Sequence, residues 1–182
     1  EYTSSVSLGG DQVTNDLAQA LKTSTNNADE LKIRYGCVTS VFENDDVIEV
    51  PGVGDRPARS VRKKTIVQVM SDRYQEIFTF VKEKIRQSGF EDRIPAGIVL
   101  TGGSSKTEGI EDLAEEVFHT QVRVGIPEHI YGGSEDVIKN PEYAACVGLL
   151  IYAKEKESTK FVQSDNDFQS SIKKLLKKIF YE

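Results

Sequence analysis

The sequence predicts an α/β fold, because two separate segments repeat the same order of elements. In each segment an apolar, strand-like run leads through a pair of glycines into a helical pattern, and the two pairs are Gly9-Gly10 and Gly102-Gly103. A strand, a glycine turn and a helix in this order are typical of the ligand-holding edges of α/β sheets. With 182 residues, the chain is long enough for one ordinary domain or two small ones with a hydrophobic core.

Composition and charge exclude several classes of protein. Lys and Arg number 23 against 29 Asp and Glu, for a formal net charge of −6, which disfavours nucleic acid as a partner. No window approaches the roughly 20 apolar residues of a membrane-spanning helix, and the first residues do not resemble a signal peptide. Two distant cysteines, Cys37 and Cys146, indicate a reducing, intracellular compartment, and His119 and His129 lack zinc-ligand spacing.

The first elements are a strand and two helices. We expect a short strand over Thr3–Leu8, followed by a helix with Val13, Leu17 and Leu21 on one face. A second helix is expected from Asn27, which would cap it with help from Glu30, to Gly36. A chain that opens within such a pattern is expected to be a fragment of a longer protein.

The next segment has strand character. Cys37–Glu43 and Val47–Val50 flank Asn44-Asp45-Asp46, whose residue types favour a hairpin turn. The glycines and proline of residues 52–57 then predict a loop.

A long helix follows, with Ser60 as its expected cap, Gln87 as its last residue and Gly89 as its stop. Its charged face is expected to be solvated. The apolar residues with helical period are Ile66, Val69, Met70, Ile77, Phe80, Val81 and Ile85.

The second strand–glycine–helix segment comes next. Ile94–Leu100 is the predicted strand, Glu111–Phe118 the helix, and Val122–Val124 a further short strand. Asn140 and Pro141 are expected to start another helix. Its small and apolar residues predict close packing and burial: Ala144, Ala145, Val147, Gly148, Leu150 and Ile151.

The last residues form an amphipathic pattern behind a polar linker, Lys154–Phe168. A helix over Ser171–Glu182 would be about 18 Å long, too short for a hydrocarbon core of roughly 30 Å. It carries a side-chain charge of +3, so the rest of the chain carries −9. These features predict binding to an anionic membrane surface; docking on its own domain or on a partner protein is the alternative. Its apolar face is Ile172, Leu175, Leu176, Ile179 and Phe180, and its cationic face is Lys173, Lys174, Lys177 and Lys178.

Each glycine pair by itself is explained equally well by a tight turn. Neither pair matches the P-loop or the G-x-G-x-x-G pattern of dinucleotide sites. In combination with other segments the pairs are more informative, and the chain resembles the actin/Hsp70/sugar-kinase superfamily and, more narrowly, the FtsA family of bacterial cell-division proteins. The segments that carry this resemblance are Leu8–Asp11, Asn15–Ala18, Asp29–Cys37, Val50–Gly54, Arg56-Pro57, Ile98–Gly103, Phe118–Val124 and the lysine-rich terminal helix.

The resemblance implies an actin-like (ribonuclease-H-like) ATPase lobe. Residues 1–36 and 95–153 would form subdomain IIA, with subdomain IIB inserted at 37–94. A flexible linker over 154–170 and a membrane-targeting amphipathic helix over 171–182 would follow.

The resemblance also implies that ATP and Mg²⁺ bind without efficient hydrolysis, because phosphoryl transfer needs groups from a second lobe. Gly9 and Gly10 would approach the phosphates. Asp29 and Lys32 would flank the ribose and adenine, with Glu30 as a substitute for Asp29. The implied nucleotide-binding residues are Gly9, Gly10, Asp29, Lys32, Gly36, Thr101, Gly102, Gly103 and Ser104, with Lys106 near the base.

Partners are implied in the same way. Members of the FtsA family tether filaments of the tubulin-like FtsZ to the cytoplasmic face of the inner membrane at the division site. They also polymerise as actin-like strands and recruit other division proteins. The C-terminal peptide of FtsZ would meet subdomain IIB at Arg59, Lys63, Arg73 and Glu76.

Two other functions stay open at the level of sequence. One is an ATP-dependent enzyme of the same superfamily, a sugar kinase or a chaperone ATPase. The other is a scaffold lobe that binds no nucleotide.

Overall fold

The structure is a computed structural model that describes residues 2–39, 46–128, 136 and 139–156. The chain divides into two compact units, Glu1–Ile126 and Pro127–Glu182. The first unit contains both glycine pairs.

Two short helices open the first unit. Helix α1 (Gly10–Leu21) buries the predicted face of Val13, Leu17 and Leu21. Helix α2 (Thr25–Tyr35) is capped by Ser24, whose hydroxyl accepts a hydrogen bond from the Asn27 N–H at 3.2 Å. Asn27 as the cap was therefore a wrong prediction, because Ser24 stands three residues earlier and satisfies the first free N–H groups. The predicted end of α2 at Gly36 is confirmed.

Residues 3–8 do not form the predicted strand. Alternate residues of this segment line a groove of about 680 Å³ beside the C-terminal half of the long helix. That period of two is the spacing of an extended chain. A strand also needs a partner for its backbone groups, and both two-stranded sheets in the described part of the chain are formed by other residues. The lining residues from this segment are Ser4, Val6 and Leu8, and the preceding Tyr2 continues the same spacing.

Strand β1 (Val47–Val50) pairs antiparallel with β2 (Arg59–Arg62), so that Glu49 faces Ser60. Ser60 is therefore a strand residue, and its prediction as a helix cap is wrong. Pairing with β1 satisfies the backbone of 59–62 before the helix begins. Cys37 forms an isolated parallel bridge with Glu108, and the predicted hairpin turn lies mostly outside the described residues.

Helix α3 (Lys63–Ser88) ends at Gly89, as predicted, and Gly89 adopts a left-handed conformation with φ of 71°. Its buried residues are Ile66, Val67, Met70, Tyr74 and Phe78. Phe80 is 46% exposed, so its assignment to the apolar face is wrong. It follows Phe78 by two positions, which is about half a helical turn and points the ring away from the core.

The glycine-turn segment forms a small parallel sheet with one helix. Strand β3 (Ile98–Leu100) pairs with β4 (Val122–Val124), and α4 (Ile110–Phe118) connects them. The helix and β4 confirm the predictions. The strand is shorter than predicted, because a turn at residues 95–96, closed by the Gly97 N–H on the Ile94 carbonyl, and a positive φ of 82° at Gly97 interrupt the extended run.

The core of the first unit lies around α3. Helices α1, α2 and α4 and strand β2 all contact α3, and the buried residues of these helices and of β1 form one hydrophobic cluster. Leu17, Ile66 and Met70 are among the largest fully buried side chains. The glycine pairs are thus presented from elements that rest on a common helix.

In the second unit, Asn140 caps a 3-10 turn at Pro141–Tyr143, and its side chain accepts from the Glu142 N–H at 3.1 Å. Residues 144–156 continue as a helix, α5, so the predicted start is confirmed and the first three residues of the predicted linker are helical instead. Val147 is buried, but Leu150 and Ile151 are 72% and 39% exposed. The predicted burial is wrong for most of this helix, since no described element covers that face.

None of the helices in the described part of the chain combines the length and the apolar composition that a membrane crossing requires.

Gly36 gives a test of packing at the junction of α2 and α3. A Cβ at this position would lie 2.7 Å from Met70 Cε and would also strike the Lys32 carbonyl oxygen. We expect Gly36→Ala to lower the free energy of unfolding by about 1–3 kcal/mol, as overpacking does. Chemical denaturation would measure this change.

Gly148→Ala is the matched control, because no atom lies within 4 Å of its added methyl group. Alanine is the better helix former, so this variant should be neutral or more stable by up to about 1 kcal/mol. Equal stability of the two variants would contradict the steric interpretation of Gly36.

Candidate functional site

The two glycine pairs meet in the folded chain although about ninety positions separate them. Gly10 begins α1, and a Cβ added to it would lie 2.7 Å from Ser104 Oγ. The absence of a side chain at Gly10 therefore lets the two turns approach each other closely. The structure brings the predicted residues Gly9, Gly10 and 101–104 to one place.

Lys32 joins α2 to the start of α1. Its Nζ lies 2.6 Å from Asp29 Oδ1, 2.6 Å from Thr14 Oγ1 and 3.5 Å from the Gly10 carbonyl oxygen. An ammonium group has three protons to donate, and these three oxygens match that number. The predicted pair Asp29 and Lys32 therefore lies against the first glycine turn.

Thr14 is a member of this network that the sequence analysis missed. Its side chain is buried, and Oγ1 lies 3.2 Å from the Gly10 carbonyl oxygen and 3.1 Å from Asp29 Oδ1. The available signal was a hydroxyl residue one helical turn after Gly10, next to the buried face of Val13 and Leu17. Spacing along α1 alone does not show which neighbouring helix that hydroxyl meets.

Asp29 is held as a carboxylate. The hydrogen bond from Lys32 keeps its pKa below the ordinary value of 3.8, and a further hydrogen bond from Thr14 acts in the same direction, while partial burial opposes both. The side chain is nevertheless 48% exposed. An ionised, half-exposed carboxylate can accept hydrogen bonds from the hydroxyl groups of a ligand.

The second turn is held in shape by its own hydrogen bonds. Gly102 has φ of 94°, and its carbonyl oxygen accepts from the N–H and the hydroxyl of Ser105, at 3.1 and 2.7 Å. The Thr101 hydroxyl donates to the Gly125 carbonyl at 2.9 Å, which ties the turn to the end of β4. Only glycine adopts such a positive φ at little cost, so Gly102 is required by the turn itself.

The two turns have open space beside their glycines. No heavy atom lies within 4 Å of the Cβ positions of Gly9 and Gly102. A cavity of about 120 Å³ is lined by residues of both turns and by aromatic residues of α3, and it is smaller than the roughly 300–1,000 Å³ of typical ligand pockets. The described residues thus form an open surface, here called the glycine shelf, made of Gly9, Gly10, Asp29 and 101–104.

Gly36 has a packing role in this structure. It lies against Met70 of α3, and an added methyl group would strike that side chain. The resemblance placed Gly36 at the base of the nucleotide surface, and it does follow the helix that carries Asp29 and Lys32.

The four residues implied for FtsZ fall into two groups. Arg59 is exposed on β2, and Lys63 is the first residue of α3. Arg73 forms ion pairs with Asp16 of α1 and with Glu76, and the hydrogen bond that its guanidinium donates to Asp16 raises its pKa. Ten residues of helix separate Lys63 from Arg73, which is about 15 Å. Because Asp16 lies on α1, the ion pair of Arg73 with Asp16 also holds α1 against α3.

The remaining points concern the membrane-binding residues, metal ligands and Lys106. The membrane-binding residues of 171–182 lie outside the described residues. Within the ranges that the structure describes, no group of three or more His, Cys, Asp or Glu side chains could hold a metal ion. Lys106 follows the glycine shelf in an exposed position.

Comparison with known proteins points to one family. A family model described as "Cell division protein FtsA" matches residues 1–148. The chain is 49% identical over 158 residues to the cell division protein FtsA of Pseudomonas aeruginosa, covering 86% of this chain and 38% of that protein. It is 37% identical over 186 residues to the protein of the same name from Escherichia coli K12, covering 98% and 44%. The chain thus spans less than half the length of these relatives.

Solved structures with the same fold include MreB5 of Spiroplasma citri bound to ADP. The TM-score is 0.64 at 14% identity, over 85% of this chain and 46% of that one. The AMPPNP-bound MreB5 structure gives a TM-score of 0.63 at 15% identity, over 87% and 47%. At this identity the likeness concerns the fold alone, and it confirms the predicted actin-like class.

The Asp29–Lys32 pair predicts a specific dependence of stability on pH. The folded-state pKa of Asp29 lies below its ordinary value, so the carboxylate stabilises the fold above that value and the contribution is lost as pH falls through the folded-state pKa. Between about pH 5 and about pH 2, the wild-type chain should lose more free energy of unfolding than Asp29→Asn. Urea denaturation at each pH would measure the difference.

Glu30→Gln is the control, since it removes an exposed neighbouring carboxyl outside the network of Lys32, Thr14 and Asp29. It should retain the acid dependence of the wild type. Identical acid dependence of Asp29→Asn and the wild type would show that the pair does not stabilise the fold.

Proposed function

This chain belongs to the FtsA family of cell division proteins, and on that premise we propose that it binds ATP on the glycine shelf. The observation that carries the proposal is the convergence at Gly10 of two other segments, Ser104 from one side and Lys32 from the other. The relatives are named as cell division proteins and not as enzymes. We propose the nucleotide as a structural ligand that is hydrolysed weakly or not at all.

The phosphate side of the nucleotide fits Gly9 and Gly10. Helix α1 begins at Gly10, and the first N–H groups of a helix, together with its dipole, favour an anion. The open space above Gly9 lets a phosphate approach the backbone. Asp11, exposed in the first turn, would repel phosphates, and Mg²⁺ that enters with them would offset this repulsion.

The adenosine side fits Asp29 and the second turn. The ionised Asp29 carboxylate can accept from ribose hydroxyls, while Lys32 keeps it in place. Gly102 offers a surface without side-chain atoms, on which a flat base can lie. When bound, the nucleotide would supply negative charge and a rigid connection between the two turns.

Nucleotide binding as such is supported by the structural neighbours, because the MreB5 structures of the same fold were solved with ADP and with AMPPNP. The alternatives are an ATP-dependent enzyme of the sugar-kinase or chaperone class, and a scaffold lobe without nucleotide. The relatives are named as cell division proteins, which disfavours the enzyme alternative. Nucleotide titration distinguishes the proposed ATP binding from the scaffold alternative.

Gly9→Val tests the nucleotide site without disturbing the fold. Gly9 is extended, and no heavy atom lies within 4 Å of its Cβ position, so the variant should keep its unfolding midpoint. The valine side chain would occupy the space that the phosphates need. We expect ATP affinity to fall by at least about tenfold, measured by calorimetric titration and ligand-observed NMR on the 182-residue chain.

Gly148→Val is the matched control, because its Cβ position is equally open and lies on α5. It should bind ATP as the wild type does. If neither variant changes a measurable affinity, the nucleotide does not bind over Gly9; if the wild type shows no binding at millimolar ATP, the scaffold alternative is favoured.

We further propose the subdomain division that the resemblance implies, with IIA at 1–36 and 95–153 and IIB at 37–94. The two-stranded β1–β2 sheet and α3 all fall within 37–94. In the whole protein, IIB would take the acidic C-terminal peptide of FtsZ, and self-association into actin-like filaments would multiply the weak contacts.

Within the FtsZ set, Arg59 is proposed as a direct contact. It is exposed on β2 and close along the chain to the start of α3, so an acidic peptide can approach it. Arg73 and Glu76 are already paired, and a change at Arg73 would also disturb α1. Lys63, in the first turn of α3, lies along the chain between Arg59 and the pair of Arg73 and Glu76.

Membrane anchoring is proposed for Ser171–Glu182 on sequence grounds. Four lysines near an anionic leaflet contribute about 1 kcal/mol each, and the apolar face adds several kcal/mol on partial burial. The location that follows is peripheral, on the cytoplasmic face of the inner membrane at the division site, where other division proteins would be recruited.

One sedimentation assay tests both halves of the adaptor role. FtsZ should pellet with anionic vesicles only when the chain is present. Removal of Ser171–Glu182 should leave both proteins in the supernatant. Arg59→Glu should leave the chain on the vesicles and most of the FtsZ in the supernatant, because the charge that attracts an acidic peptide is reversed.

Arg93→Glu is the matched control, an equal charge reversal at an exposed arginine beyond the other end of α3. It should behave as the wild type. Sedimentation of the truncated chain with vesicles would refute the membrane role, and equal FtsZ recovery with Arg59→Glu and Arg93→Glu would refute the assigned contact.

A further inference from the structure

Thr14 connects the two helices that carry the first glycine turn and Asp29, α1 and α2, through its side chain. Its Oγ1 accepts from Lys32 at 2.6 Å, and its single proton goes either to the Gly10 carbonyl or to Asp29 Oδ1, at 3.2 and 3.1 Å. Thr14 lies on α1, whereas Asp29 and Lys32 lie on α2. The hydroxyl is therefore shared between the two helices.

The ion pair of Asp29 and Lys32 does not make this connection by itself. The two residues are three positions apart on the same helix, so their pair can form without α1. Without the Thr14 oxygen, what remains between Lys32 and the first turn is the 3.5 Å contact with the Gly10 carbonyl. A contact at that distance is much weaker than a hydrogen bond of 2.6 Å.

We propose that Thr14 is a positioning residue that sets the spacing between the Gly9-Gly10 turn and Asp29. This inference rests on the proposed nucleotide function. A ligand that touches only one side needs no fixed spacing, whereas a nucleoside diphosphate contacts the turn through its phosphates and Asp29 through its ribose. Thr14 therefore affects ADP binding more than adenosine binding, although its own hydroxyl is buried and touches neither ligand.

Thr14→Val, Thr14→Ser and the wild-type 182-residue chain would be titrated with ADP and with adenosine. We expect Thr14→Val to weaken ADP binding by about tenfold and adenosine binding by less than about threefold. Thr14→Ser keeps the oxygen and should bring ADP affinity back to within about threefold of the wild type. Thr14→Ala deletes the same hydroxyl and serves the same comparison if T14V does not fold.

The outcomes separate this inference from the function on which it rests. Equal losses for ADP and adenosine would mean that Thr14 only stabilises the fold, and unchanged ADP affinity in T14V would mean that it positions nothing. Failure of Thr14→Ser to restore ADP binding would also overturn the inference. Each of these results leaves nucleotide binding intact, whereas a wild-type chain that binds no ADP overturns both.

Discussion

The arrangement of the glycine shelf depends on how the Lys32 ammonium is shared. One positive charge is close to a carboxylate of its own helix, a hydroxyl of α1 and a backbone carbonyl at the first glycine turn. Because the charge is partly buried, each of these oxygens is worth more to it than a solvent-exposed partner would be. The start of α1 is thereby fixed relative to α2, and an ionised carboxylate is kept beside it.

Helix α3 is the common support for both sides of this surface. Arg73 pairs with Asp16 of α1, and the Tyr74 hydroxyl lies 3.3 Å from the hydroxyl of Thr107, just after the second turn. These neighbouring residues lie on a helix whose buried side chains belong to the central cluster. The same helix follows directly on β2, the strand that carries the exposed Arg59. One rigid element therefore carries both the proposed nucleotide surface and part of the proposed peptide surface.

Three of the errors in the sequence analysis have a related physical cause, because several neighbouring residues of suitable type compete for one structural role. Ser24 and Asn27 can both cap a helix, and only the folded backbone shows that Ser24 does so. Ser60 resembles a cap until Arg59–Arg62 is seen to pair with β1. Phe78 and Phe80 are equally apolar, but only Phe78 points to the core. Local pattern does not determine the long-range partner that decides each case.

The amino-acid sequence by itself determined the α/β class and the two glycine turns. It also determined where α1 starts, at Gly10, and where α2 and α3 stop, at Gly36 and Gly89. Helical period and the conformational freedom of glycine are local properties, and they can be read from neighbouring residues. The tertiary structure alone decided that Gly10 meets Ser104, that Thr14 joins Lys32 to α1, and that Arg73 is held by Asp16. These are contacts between residues distant in the chain, and they depend on how α1, α2 and α3 pack together.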